Sequence, residues 1–253
     1  MSAVCAQVIR AQTPPVAAVP GVGSPAVLTL TTTFVSQDLF RGYFLGGPSL
    51  EPDIDVSNGI YDLGLWSNST VRNRTQGPSS TEVEAYGSYQ VDIVKDKLSA
   101  EAGFTLYALP WGPGFGGVYR SSIEPSIGLN FPIGKVQFSP RVYDDIVLRV
   151  RTLEANAACA LPLKASRTEL DLTVTLGTEQ LPLAWSGPSK DTRVWATYWL
   201  FQVAAPFPVG RQGTFTVGWC YTGSTFNERG PFGLGEGSRS ARGLVTASFA
   251  LKL

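Results

Sequence analysis

A set of carboxylates in this chain stands at alternate positions of otherwise apolar runs: Glu82, Glu84 and Asp92, then Glu101, Glu124, Glu169 and Asp171. Arg141, Arg149 and Arg151 sit in comparable runs, and Arg41 stands among aromatics and glycines in the stretch FVSQDLFRGYFLGG. Side chains spaced by two along a strand share one face, so these groups can line a cavity, draw in cations, or neutralise one another across it. The residues that are missing narrow the chemistry further. The chain has no histidine, which excludes Ser-His-Asp and Cys-His nucleophile systems and most catalytic zinc sites. Cys5, Cys159 and Cys220 are an odd number at no ligand spacing, so neither a disulfide framework nor a zinc knuckle is indicated. The 20 Lys+Arg balance 20 Asp+Glu without a basic run, which removes the electrostatic footprint of a nucleic-acid binder. The glycine-rich stretches GPGFGG and GPFGLGEG lack the strand-to-helix setting of a phosphate cradle. With no nucleophile beside an activating group, the expectation is a protein that is not an enzyme, with no cofactor and no metal.

The elements that must position these charges are strands. In TEVEAYGSYQVDI (81 to 93), Val83, Ala85, Tyr89, Val91 and Ile93 oppose Glu82, Glu84, Ser88, Gln90 and Asp92. The same dyad runs through 97 to 108, where Leu98, Phe104 and Leu106 oppose Glu101, and through 168 to 178, where Leu170, Leu172, Val174 and Leu176 oppose Glu169 and Asp171. Period two of this kind defines a strand with one apolar and one polar side. Strands are expected at 26 to 40, 49 to 57, 60 to 69, 81 to 93, 97 to 109, 120 to 131, 135 to 144, 147 to 162, 167 to 179, 191 to 204, 212 to 222 and 242 to 253. Residues 1 to 25, small and Pro-rich, read as a disordered lead-in, and Val4-Cys5-Ala6 before Gln7 resembles the end of a secretory signal.

Two architectures give such dyads: a soluble sandwich or barrel with apolar faces inward, and a membrane barrel with apolar faces toward lipid. The connections separate them. Short turns such as NG, VKD and IGK tend to alternate with long segments such as STVRNRTQGPSS and LPWGPGFGGVY, as tight periplasmic turns alternate with external loops in outer-membrane barrels. The connection near YDDI is an exception, short where a long one belongs. The last residues, RGLVTASFALKL, form a strand that needs a partner, and pairing with the first strand would close the sheet. The expected fold is therefore all-β, a transmembrane antiparallel up-and-down barrel of about twelve strands over 26 to 253, with an apolar exterior and a polar lumen.

SQDLFRG (36 to 42), LEPDIDVSNGIYDLGLWSNS (50 to 69) and TEVEAYGSY (81 to 89) resemble, in order and spacing, the opening segments of the TorF-type family of bacterial porins. The resemblance covers about the first 90 residues and departs from the family pattern at Gln37-Asp38-Leu39 and at Asp62. It implies a barrel in the bacterial outer membrane for passive transport, with membrane lipid and small solutes or ions as partners.

From the residues themselves, Arg41, Glu82, Glu84, Asp92, Glu101, Glu124, Arg141, Arg149, Arg151, Glu169 and Asp171 are the lumen-lining candidates. The carboxylates outnumber the cations, so a narrow, weakly cation-preferring pore is expected, its acidic strands facing arginines carried on 135 to 144 and 147 to 162. Alternatives are a non-conducting docking barrel whose salt bridges fill the interior, and a soluble periplasmic barrel holding a small apolar ligand. Arg41, next to Gly42, is expected to clamp carboxylates rather than hold solute. Four further expectations concern packing. A bulge near Arg151-Thr152 reconciles the change of phase in 146 to 163. RVWATYWLFQVA, apolar on both parities, offers a face to a second copy of the chain. The tryptophans Trp66, Trp111, Trp185, Trp195, Trp199 and Trp219 form interfacial girdles. Pro52, Pro125 and Pro140, inside expected strands, each remove a ladder hydrogen bond.

Overall fold

The computed structural model describes residues 25–71, 81–110, 119–163, 168–182, 193–225 and 241–253. The N-terminal lead-in up to residue 24, with its signal-like Val4-Cys5-Ala6, lies outside the described residues, as do Cys5, Trp111, Trp185 and both glycine-rich stretches. Alternation turns every described segment into strand: β1 (Val27–Val35), β2 (Asp38–Phe40), β3 (Tyr43–Gly46), β4 (Ser49–Ser57), β5 (Tyr61–Thr70), β6 (Glu82–Val94), β7 (Leu98–Ala108), β8 (Ser121–Ile133), β9 (Val136–Asp145), β10 (Val150–Leu163), β11 (Thr168–Pro182), β12 (Arg193–Val209), β13 (Gly213–Ser224) and β14 (Ala241–Lys252). All but β2 and β3 form one closed barrel in which chain neighbours pair antiparallel. The last strand closes on the first, from Thr29 opposite Lys252 to Val35 opposite Thr246, and β1 meets β4 on its other side. Closure leaves no strand edge for another chain to pair with.

The sidedness is that of a membrane barrel. Leu63 and Leu65 are each 55% exposed, Ile127 63% and Leu176 58%, whereas Glu82 and Glu84 are fully buried. Phe104 and Leu106 face out on β7, while Thr105 and Tyr107 are buried inside it. In water, such an apolar exterior would oppose folding by about 25 cal/mol for every Å² left wet; in hydrocarbon it costs nothing. The fold is thus a closed, twelve-stranded outer-membrane-type β-barrel.

Connections 58–60, 95–97, 134–135 and 210–212 are tight and lie at the same end as Val27 and Lys252. By the usual asymmetry of such barrels this is the periplasmic end. The other end carries the long connections, among them the segment between β1 and β4 that holds β2 and β3. The 146–149 turn is the short exception at that end. There Ser122 Oγ and the Leu148 amide both donate to Asp145 Oδ1, at 2.5 and 2.6 Å.

Several expectations need correction. The first strand ends at Val35 rather than 40, because Ser36 and Gln37 bond to β14 through Val245 and Gly243 and the chain then turns away from the wall. No bulge interrupts β10, whose pairing with β9 and β11 is continuous from Arg151 to Ala158. The apparent phase change arises because Leu148 belongs to the turn and Val150, 2% exposed, faces inward with Thr152 and Glu154. Trp66 is 3% exposed inside the barrel and belongs to no girdle, while Trp195 and Trp219 do face outward. On the doubly apolar β12, Ala196, Tyr198 and Leu200 are buried in the lumen, and Trp195 and Phe201 stay on the exposed outer face.

The prolines sit within strands, as expected, and each lies where pairing lapses on one side only. Opposite Pro52 the β4–β5 ladder passes from Leu50↔Ser69 to Asp53↔Trp66, while Pro52 still pairs with Thr32. Pro140 falls in a similar gap between β8 and β9 but pairs with Ala155, and Pro125 pairs with Phe104 just before the β8–β9 ladder begins at Ser126. The register is the same on either side of each internal gap, so the missing N–H costs a bond without slipping the sheet.

Candidate functional site

The segment that leaves the wall after β1 folds back as a two-stranded hairpin, with Phe40 opposite Tyr43 and Asp38 opposite Gly46. Its turn residues, Arg41 (φ 43°) and Gly42 (φ 83°), both occupy the left-handed region, which suits the right-handed twist of a two-residue hairpin turn. A Cβ on Gly42 would lie 2.5 Å from the Gly223 carbonyl oxygen, so the tip rests against β13. Leu39 and Phe40, with Val35, Trp66, Tyr86, Tyr107, Leu148, Val150, Leu200 and Leu244, form one buried apolar cluster inside the barrel. The half of the lumen toward the long connections is therefore a packed core around the hairpin.

Arg41 anchors that core. Its Nη2 donates to both oxygens of Glu124 on β8, at 3.0 and 3.3 Å, and its Nη1 to Glu179 on β11 at 3.5 Å. The Tyr107 hydroxyl donates 2.8 Å to the same Glu124, and the guanidinium lies over the rings of Phe40 and Tyr143. These charged side chains are at most 4% exposed. Burial opposes the positive charge, but Glu124, Tyr198 and Glu179 hold the guanidinium proton well above its ordinary range. Removing one partner from such a dry pair leaves the other charged and unsolvated, at a cost of ~3–5 kcal/mol. The electrostatics at the hairpin base are opposite in sign: Asp38 is buried with Glu82 near it, and burial first, then that neighbour, push its carboxyl up to about 7.

The walls repeat one device. Asp55, Gly64 and Tyr86 lie in one cross-strand row, and Tyr86 reaches over Gly64 to donate to Asp53 at 3.1 Å and Asp55 at 3.5 Å. Glu154, Gly177 and Tyr198 form a second row, with Tyr198 donating 2.6 Å to Glu154. Glu101, Gly128 and Arg141 form a third, with Arg141 donating 2.6 Å to Glu101. In each row the middle residue is glycine because a Cβ there would collide with the side chain crossing it. The acid on one strand is thus satisfied by a long donor from two strands away.

Glu82 and Glu84, expected in the lumen, are fully buried on the inward face of β6. Glu124 meets Arg41, and Glu101 meets Arg141, bringing four of the expected residues into two ion pairs. Glu169 and Asp171 share the inward parity of Thr173 but lie near the periplasmic end, partly exposed, and Asp92 is exposed beside the 95–97 turn. Arg149 and Arg151 are corrections. Arg149 sits exposed in the 146–149 turn at φ 55°, and Arg151 points outward, its side chain 68% exposed and 3.4 Å from Asp144. Sequence reasoning placed them inside because it took apolar Leu148 and Val150 as lipid-facing; both are buried, and with Val150 inward Arg151 must face out. It also missed Glu51, Asp53, Asp55, Glu154 and Glu179. The alternation of Leu50, Ile54 and Val56 with the β4 acids is the signal that finds the first three.

Two outcomes follow. Gly177→Val will force the Tyr198 ring off Glu154 and lower stability by about 1–3 kcal/mol, read as a lower urea midpoint of the folded barrel in detergent. Asp38 keeps its proton in the docked hairpin up to about pH 7, whereas the unfolded value is near ~3.9. The folded state therefore binds more protons across that window, and stability falls as pH rises through it. Asp38→Asn will flatten this dependence in thermal unfolding measured from pH 4 to pH 8; an unchanged slope contradicts it.

No protein-family model matches the chain, and no characterised protein matches it by sequence. Solved structures do. The NanC porin superposes with a TM-score of 0.52 at 12% identity, covering 89% of this chain and 100% of its own. LpxR from Salmonella typhimurium gives 0.48 at 8% identity over 88% and 99%. An anion-selective porin from Comamonas acidovorans gives 0.36 at 8% identity over 90% and 99%. The likeness to NanC is one of fold, and with the apolar exterior it identifies an outer-membrane β-barrel.

Proposed function

We propose that this barrel is a narrow channel for small cationic or neutral solutes, held shut by the hairpin of β2 and β3. The observation that carries the reading is the division of the lumen. Toward the periplasm the inward groups are partly exposed and mostly acidic, including Asp53, Asp55, Asp62, Glu101, Glu169 and Asp171, with Arg141 among them. Toward the outside the lumen is filled by an element that has no ladder pairing with the wall and is fastened by side chains. Carboxylate-lined constrictions favour cations, and a plug held by side-chain contacts can leave without opening the barrel. The resemblance of SQDLFRG, LEPDIDVSNGIYDLGLWSNS and TEVEAYGSY to the TorF-type porins supports passive transport as the role.

A second reading, a non-conducting docking barrel, is favoured by the apolar packing around Leu39 and Phe40. Planar-bilayer recordings distinguish the two. The channel reading expects rare, small openings for the native chain, and larger, cation-preferring conductance when residues 38–46 are replaced by a Gly-Ser linker. Arg41→Met will lower the unfolding temperature and raise the frequency of openings. A clear anion preference, or silence from the native chain and both variants, would overturn the proposal.

A further inference from the structure

Among the described residues, the exposed basic side chains at the outer end are confined to one arc. They are Arg120, just before β8, Arg149 in the 146–149 turn, Arg151 on β10 and Arg193 at the start of β12. Arg151 shares the outward parity of Leu153, and Arg193 that of Trp195, so both face where lipid lies rather than the lumen. Asp144, Arg151, Gln180 and Trp195 make one outward row across four strands. The next outward residues toward the membrane centre are apolar on β9 and β10, Val142 at 44% and Leu153 at 47% exposure. Arg193 Nη1 donates 2.6 Å to the Arg149 carbonyl and 3.5 Å to Gln180 Oε1, which gathers Arg149, Arg151 and Arg193 into a patch. Asp144, 3.4 Å from Arg151 Nε, offsets only part of its charge.

A group of guanidiniums directly above a lipid-facing belt is matched in charge to anionic headgroups whose acyl chains lie against that belt. Arginine in particular offers paired donors to phosphate oxygens, and Trp195 is the kind of amphipathic ring that settles at this depth. We propose that Arg149, Arg151 and Arg193 bind the phosphate groups of lipopolysaccharide in the outer leaflet. The site is external, so it stands whether or not the lumen conducts.

The test uses the full barrel in detergent, with bound lipid counted by native mass spectrometry and unfolding temperature read in parallel. Lipopolysaccharide should bind and raise the unfolding temperature; its dephosphorylated form, and inorganic phosphate at the same phosphate concentration, should not. The triple variant R149Q/R151Q/R193Q should bind lipopolysaccharide roughly tenfold more weakly or worse. Absence of binding by the native chain, equal effects from the dephosphorylated lipid, an equal shift with free phosphate, or undiminished binding by a folded triple variant would each overturn the proposal. The lipid comparison is made on the native chain and decides the matter even if the variant fails to fold.

Discussion

Hydrocarbon on the outside is the constraint from which the rest of this molecule follows. A strand that crosses a bilayer must pair every backbone group and show lipid an apolar face, so its polar residues have only the interior left to occupy. Twelve strands enclose an interior that long side chains span. That interior then becomes a problem in charge: carboxylates such as Glu82, Glu84, Glu124, Glu154 and Glu179 are at most 6% exposed, and each needs a donor. The acid–glycine–donor rows supply donors from the wall itself, at the expense of a bare Cα where the donor crosses. Arg41 supplies one from outside the wall, and that brings a hairpin with it.

The hairpin thus has two couplings of opposite character. At its tip a guanidinium bridges Glu124 and Glu179, joining strands that lie three apart around the barrel. At its base Asp38 enters a region already holding the buried Glu51 and Glu82, where another negative charge is unwelcome. The tip favours docking whenever the wall acids are ionised, while the base favours it only while Asp38 is protonated. Apolar packing of Leu39 and Phe40 adds a contribution that does not depend on charge.

Barrel, strand count and sidedness were legible in the sequence because period two states directly which residues share a face. The alternation in 81 to 93 placed Glu82 and Glu84 together on the face that proved buried. It misled where an apolar side chain packs in the lumen: taking Leu148 and Val150 as lipid-facing put Arg151 indoors, whereas Val150 is buried inside and Arg151 faces out. The hairpin was not legible. β2 continues β1 in sequence with only Ser36 and Gln37 between, and nothing in FVSQDLFRGYFLGG says whether its apolar residues meet lipid or the lumen. The Arg41-Gly42 pair did mark a turn, and the clamp role expected of Arg41 agrees with its contacts to Glu124 and Glu179. The double apolarity of β12 had the same hidden cause, since its inner face packs in the cluster that Leu39 and Phe40 complete.

The central claim, that the β2–β3 hairpin is the element that shuts the lumen, is tested most directly by locking it in place. A Cβ on Gly46 would lie 3.2 Å from Thr70 Cγ2, close enough for a cysteine pair at 46 and 70 to bridge the hairpin to β5. With the native cysteines replaced, single-channel recordings should be silent when the pair is oxidised and show openings once it is reduced. Openings of the same size and frequency in both states would contradict the account.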